Sequence, residues 1–66
     1  MKIKTAREKA GISQTELAIK AGLNPSLVNR IERGVRPNWR TAERLAKALG
    51  VDIEVVFPNA SKLRKY

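Results

Sequence analysis

Three features of the sequence predict an all-α fold, a compact bundle of about five short helices. Apolar residues recur three and four apart through most of the chain, the spacing of one helix face. These stretches open on residues that cap helices, Ser13, Asn24 and Asn38, and close on Gly11, Gly22, Gly34 and Gly50. The length, 66 residues, allows one domain at most. A chain this short buries only about 60% of the surface its unfolded form exposes.

The first element is expected over residues 2–10, where Ile3, Ala6 and Ala10 share a side and Gly11 follows. Arg7 falls on that same apolar side, an unusual place for a charge. Ser13 then stands three residues before Glu16. In this S-x-x-E pattern each side chain satisfies a backbone N–H that the first turn leaves orphaned, and Ile12 and Leu17 are placed to staple the helix entry. A second helix therefore starts there, turns Leu17, Ala18 and Ala21 inward, and ends at Gly22, which supplies a left-handed residue. Asn24 caps a third helix. Its first position suits Pro25, since that N–H has no helical partner and the ring holds a helical φ. This helix runs to about Arg33, and Gly34 terminates it. Asn38 caps a fourth, with Ala42, Leu45, Ala46 and Leu49 as its inner stripe and Gly50 at its end. The last element, residues 52–57, is open between two forms. Val51, Ile53, Val55 and Phe57 alternate as in a strand, while Asp52 as cap and Pro58 as stop suit a single helical turn. Residues 1–57 thus make the domain, and residues 58–66, PNASKLRKY, read as a mobile basic tail.

Lys and Arg number 14 against 6 Asp and Glu, for a net charge of +8 and a pI near 10.7. The excess is spread along the chain apart from the acidic interruption at Asp52 and Glu54, which fits a folded domain with a basic face and favours polyanionic partners. No apolar run reaches the length of a signal peptide's core or a membrane span, so a soluble, cytoplasmic protein with no membrane partner is expected. There is no His and no Cys, and the six acids are scattered, which leaves neither a metal-ligand set nor a catalytic constellation. No Gly-rich phosphate loop appears. The expectation is a protein that is not an enzyme and takes no cofactor.

Only Gly22, Leu23 and Asn24 separate the second helix from the third, so the two turn sharply instead of folding back as an antiparallel hairpin. This is helix-turn-helix spacing. Ala18 has to be small where the third helix crosses the second, and Gly22 takes a conformation that a β-carbon would hinder. One stripe of the third helix is apolar, with Leu27, Val28 and Ile31. The opposite stripe, Ser26, Asn29, Arg30 and Arg33, mixes short hydrogen-bonding groups with guanidinium groups.

The stretches AREKAGISQTELAIKAGLNPSLVNRIERG and RTAERLAKALGV resemble the Cro and phage-repressor type helix-turn-helix regulators, the XRE family, with a likeness covering about residues 3–57. SQxELA, AG, the IERG closing the third helix and LAKALGV stand in register, a joint signal far more specific than a lone glycine in a turn. The resemblance implies a lambda-repressor-like bundle of about five helices. It also implies a sequence-specific regulator of transcription, a repressor, that binds double-stranded DNA with the third helix in the major groove and the second across the backbone. By the same resemblance Pro25, Ser26 and Arg30 occupy base-reading positions, with Asn29 beside them. Arg30 suits guanine O6 and N7, Asn29 suits adenine, and Ser26 suits either role. Pro25 departs from the Gln or Ser common there; it either touches a thymine methyl or only starts the helix. Gln14 matches a phosphate-anchoring position at a helix N-terminus. Asn24, Arg33, Arg36, Asn38 and Arg40 are candidates for gripping the backbone, each also readable as a group that only meets solvent. Arg7 and Glu32 match positions that hold an ion pair between the first and third helices.

One module makes few base contacts, so a homodimer is expected, at least on DNA, with Val55, Val56, Trp39, Leu63 and Tyr66 as candidate contacts. Two alternatives stay open. One is the antitoxin of a toxin–antitoxin pair, with a toxin or other protein as partner, which a strand at DIEVVF pairing across a dimer axis would favour. The other is charge-driven, sequence-independent nucleic-acid binding, which leaves the grouping of Ser26, Asn29 and Arg30 without a purpose.

Overall fold

The computed structural model describes residues 2–63 and contains, in chain order, α1 (Ile3–Lys9), α2 (Gln14–Ala21), α3 (Pro25–Glu32), α4 (Trp39–Leu49), α5 (Ile53–Val56) and a closing 3-10 turn at Ala60–Leu63. Among the described residues there is no strand. The chain is an all-helical bundle with a helix-turn-helix at α2 and α3.

At α2, α3 and α4 the capping signals act as the sequence dictates. Ser13 Oγ accepts from the Glu16 N–H at 3.0 Å and Glu16 Oε1 accepts from the Ser13 N–H at 2.9 Å, so α2 begins on a complete capping box. Gly22 ends it at φ +70, where the Leu23 N–H reaches back to the Ala18 carbonyl at 2.8 Å and closes the last turn. Asn24 Oδ1 accepts from the Ser26 N–H at 2.9 Å and Asn38 Oδ1 from the Thr41 N–H at 2.8 Å, fixing the starts of α3 and α4.

Leu17, Val28 and Leu45, from α2, α3 and α4, are the largest side chains with no exposed surface, and they mark the centre of the core. Ile3 and Ala6 of α1, Ala18, Ala21, Ile31, Ala46 and Val56 surround them. Ala18 is wholly buried, as a residue under a crossing helix must be. Leu23, Leu27, Leu49, Ile53 and Phe57 seal the edges.

Three expectations are corrected, on Ala10, the Asp52 cap and Val56, and the element left open between strand and helix is decided. Ala10 is exposed because it serves as the C-cap of α1, beyond the last inward-facing turn. Residues 52–57 form a helical turn: Val56 enters the core from it, and the Val55 N–H bonds the Asp52 carbonyl at 2.9 Å. Asp52 occupies the N-cap position of α5, yet its side chain makes no capping bond. Val56, being core, is not a surface for a second subunit. The segment after Phe57 starts with structure: Ala60 is fully buried and its 3-10 turn packs on α4. The Leu63 side chain, Tyr66 and the rest of the expected tail past residue 63 lie outside the described residues. No helix is long and apolar enough to cross a membrane among those described.

Candidate nucleic-acid interface

α3 divides into two faces because residues three and four apart lie together on a helix. Val28 and Ile31 are buried on one; Pro25, Ser26, Arg30 and Arg33 are exposed on the other, and Asn29 sits half-buried at the boundary toward α2. Arg30, Arg33, Arg36 and Arg40 are all exposed and form no ion pair among the described residues, so their charge is available to an outside anion. Asn24 and Asn38 are exposed at the N-caps of α3 and α4.

Behind this face runs one continuous chain of hydrogen bonds linking three helices. Arg7 of α1 donates from Nε to Glu32 Oε2 at 2.6 Å and from Nη2 to Glu32 Oε1 at 3.4 Å, and its Nη1 donates to the Ile12 carbonyl at 2.8 Å. Gln14 of α2 donates from Nε2 to Glu32 Oε1 at 3.0 Å. Asn29 of α3 in turn donates from Nδ2 to Gln14 Oε1 at 3.3 Å. The side chains of Arg7 and Glu32 are only 12% and 3% exposed, so the pair is largely withdrawn from water and has to be hydrogen-bonded to be tolerated. Burial pushes the Glu32 carboxyl up, but bonds from Arg7 and Gln14 and the charges of Arg7 and Lys4 outweigh it and hold the group below the usual carboxylate range. The bond to Glu32 raises Arg7 further above its already high value, against the smaller effect of burial.

The arrangement brings Gln14 and Asn29, assigned by sequence to phosphate and base, against each other and against the ion pair. It also joins Ser26 to Asn24, whose Oδ1 accepts from Ser26 Oγ at 2.8 Å as well as from its N–H. Arg30, Arg33, Arg36 and Arg40 remain separate. One basic feature escaped the sequence reading. Arg40, Arg44 and Lys47 line a surface groove on the outer face of α4 together with Glu43, and Arg44 Nη1 lies 3.6 Å from where a β-carbon on Gly22 would stand. Its signal is the four- and three-residue spacing of those cations. Among the described residues no group of three His, Cys, Asp or Glu is gathered as a metal site would require.

Two crossed helices joined by a tight glycine turn, the second carrying a polar and cationic outer face, define a helix-turn-helix module. A helix-turn-helix family model matches residues 3–56, most of the chain, and the protein belongs to that family, in its Cro and phage-repressor (XRE) type. Two similar relatives come from Mycobacterium tuberculosis, strains CDC 1551 and H37Rv, each named an uncharacterized HTH-type transcriptional regulator. Each is 36% identical over 62 residues, covering 92% of this chain and 44% of the relative. The chain therefore spans less than half the length of these relatives. No solved structure matches it significantly.

Proposed function

We propose that this protein is a cytoplasmic, double-stranded DNA-binding regulator of transcription, a repressor, that reads the major groove with α3. The observation that carries the reading is the two-faced character of α3: Val28 and Ile31 bury its inner side while Ser26, Arg30 and Arg33 stand exposed on its outer side. An α-helix fits the major groove, and donors and acceptors on its outer side meet base edges there. Arg30 pairs with guanine; Ser26 and Asn29 read neighbouring bases; Pro25 starts the helix against the groove wall. Gln14, Asn24, Arg33, Arg36, Asn38 and Arg40 engage phosphates, helped by the free N–H groups at the start of α2. Arg7 and Glu32 hold α1 to α3 and set the angle at which α3 is presented.

The module acts as a homodimer on DNA, because Ser26, Asn29 and Arg30 alone specify too few base pairs. Half-sites should then lie about 34–36 Å apart. A strand at DIEVVF would favour an antitoxin role, whereas the short helix α5 in that place fits a repressor better.

Selection of bound sites from random duplexes tests the reading. An enriched inverted repeat is expected. Binding without any enriched sequence would replace it with charge-driven association, whose affinity still falls with salt, by about 0.9 log units per phosphate neutralised for each tenfold rise in concentration.

A further inference from the structure

We infer that the polar groups of α3 are locked in hydrogen-bond polarity, so that Ser26 presents only acceptors to the groove and Asn29 its carbonyl beside one remaining N–H, and the two select bases carrying an exocyclic amino group, adenine or cytosine at Ser26 and adenine at Asn29. The inference rests on the major-groove reading above and specifies the substrate within it.

Two independent anchors impose the polarity. At Ser26 the anchor is a backbone amide. Its N–H can only donate, so the Asn24 atom 2.9 Å from it is the carbonyl Oδ1. Ser26 Oγ lies 2.8 Å from that same oxygen, and two oxygens at this distance need a proton between them, which Ser26 supplies. The hydroxyl has then spent its single proton and offers outward only lone pairs. The Asn24 NH2 has no partner among the described residues and remains a donor for a phosphate oxygen.

At Asn29 the anchor is the ion pair. A carboxylate that accepts from Arg7 has no proton to give, so Gln14 must turn its NH2 toward Glu32 Oε1, 3.0 Å away. Its carbonyl is thereby left facing Asn29, and Asn29 must answer with its own NH2 at 3.3 Å. The Asn29 carbonyl and its second Nδ2 proton are left uncommitted, fixed side by side. Each amide orientation follows from the one before it, and the series starts at a group with one possible role.

The major groove converts this into sequence preference. Adenine N6 and cytosine N4 donate there, whereas guanine O6 and N7 and thymine O4 accept. Ser26 therefore pairs with adenine or cytosine and is left facing a second acceptor at guanine or thymine. Asn29 keeps one Nδ2 proton besides its carbonyl and so fits adenine best. Arg30, which only donates, takes guanine. Ser26 and Arg30 are four residues apart, about 6 Å along the helix axis, so the three bases fall within about two base-pair steps.

The test starts from sites selected from random duplexes by the full chain and by its Ser26→Ala, Asn29→Ala and Gln14→Ala variants, with melting curves confirming that each folds. Positions that lose preference in Ser26→Ala and Asn29→Ala are expected to hold adenine or cytosine. Replacing that base by purine or 2-pyrimidinone, which lack the amino group, should weaken wild-type binding about fivefold and leave Ser26→Ala unaffected at its own position. Gln14→Ala unpins Asn29, so preference at the Asn29 position should broaden to guanine and thymine while the Ser26 position keeps its choice. Guanine or thymine at the positions sensitive to Ser26→Ala and Asn29→Ala would overturn the inference and leave sequence-specific binding intact, as would an Asn29 preference indifferent to Gln14→Ala. Absence of any enriched sequence would instead remove the major-groove reading itself, and the inference with it.

Discussion

Replacing Arg7 by alanine removes more than a charge. Glu32 Oε2 loses its donor at 2.6 Å, Oε1 loses one at 3.4 Å, and the Ile12 carbonyl loses one at 2.8 Å, while Gln14 remains on Oε1. The carboxylate left behind is 3% exposed. Breaking a buried pair from one side typically costs about 3–5 kcal/mol. Gln14 still donates and water can follow the vacated guanidinium inward, so the low end applies, about 3 kcal/mol. A core of this size supplies roughly 3–5 kcal/mol in total, which leaves the variant with about 0–2 kcal/mol of stability. In a domain this small the same loss lowers Tm by roughly 12–24 °C. Urea and thermal melts followed by far-ultraviolet circular dichroism measure it. A Tm shift under about 3 °C would refute the reasoning, since it would mean that the pair is solvated in solution and α1 is held to α3 by its apolar contacts alone.

Three further outcomes are expected. Glu32 has a lowered folded pKa, so its contribution to stability is fully present above the unfolded carboxylate value of about 4.3 and is lost as pH falls through the lower folded value. Denaturant midpoints measured from neutrality down to about pH 2 should therefore fall more steeply at the acid end in the wild type than in Glu32→Gln, and parallel curves would contradict that. Gly22→Ala forces a β-carbon into a left-handed residue while meeting Arg44 Nη1 at an ordinary 3.6 Å, so it should cost about 1–2 kcal/mol from backbone strain alone; a loss well beyond that in urea melts would point to a clash. Ending the chain after Phe57 removes the buried Ala60 and should cost about 1 kcal/mol, whereas an unchanged midpoint would mean that the 3-10 turn adds nothing to the domain.

Much of this architecture was written locally. Ser13 and Glu16, Asn24 and Pro25, and Asn38 each act within one helical turn of themselves, so their spacing alone locates the starts of α2, α3 and α4. The Arg7–Glu32 contact was legible for a different reason: a charge on an apolar face demands a partner, and only resemblance said which one. The residues that resisted are those whose fate depends on distances between elements. Residues 52–57 satisfy a two-residue and a helical period equally well, and the core accepts Val56 from a helical turn. Ala60 lies in a polar, basic segment with no apolar rhythm, and nothing local announces that α4 covers it. The bonding of Asn29 to Gln14 depends on how closely α2 and α3 cross, which no spacing along one helix encodes.

Why so small a domain keeps a buried ion pair can be settled by separating stability from position. Replacing such a pair by apolar side chains of similar volume is often neutral or stabilising, because neither charge then has to be desolvated. Arg7→Met combined with Glu32→Leu should accordingly melt within about 1 kcal/mol of the wild type, in contrast to Arg7→Ala alone. What no hydrocarbon can replace is the acceptor at Glu32 Oε1 that fixes the Gln14 amide, and through it Asn29. If positioning is the reason for the pair, the double variant keeps its melting curve yet binds its selected site more weakly and discriminates less at the position Asn29 reads, with the Ser26 position unmoved. If the pair serves stability instead, the double variant melts as early as Arg7→Ala, and any loss of binding follows the unfolded fraction.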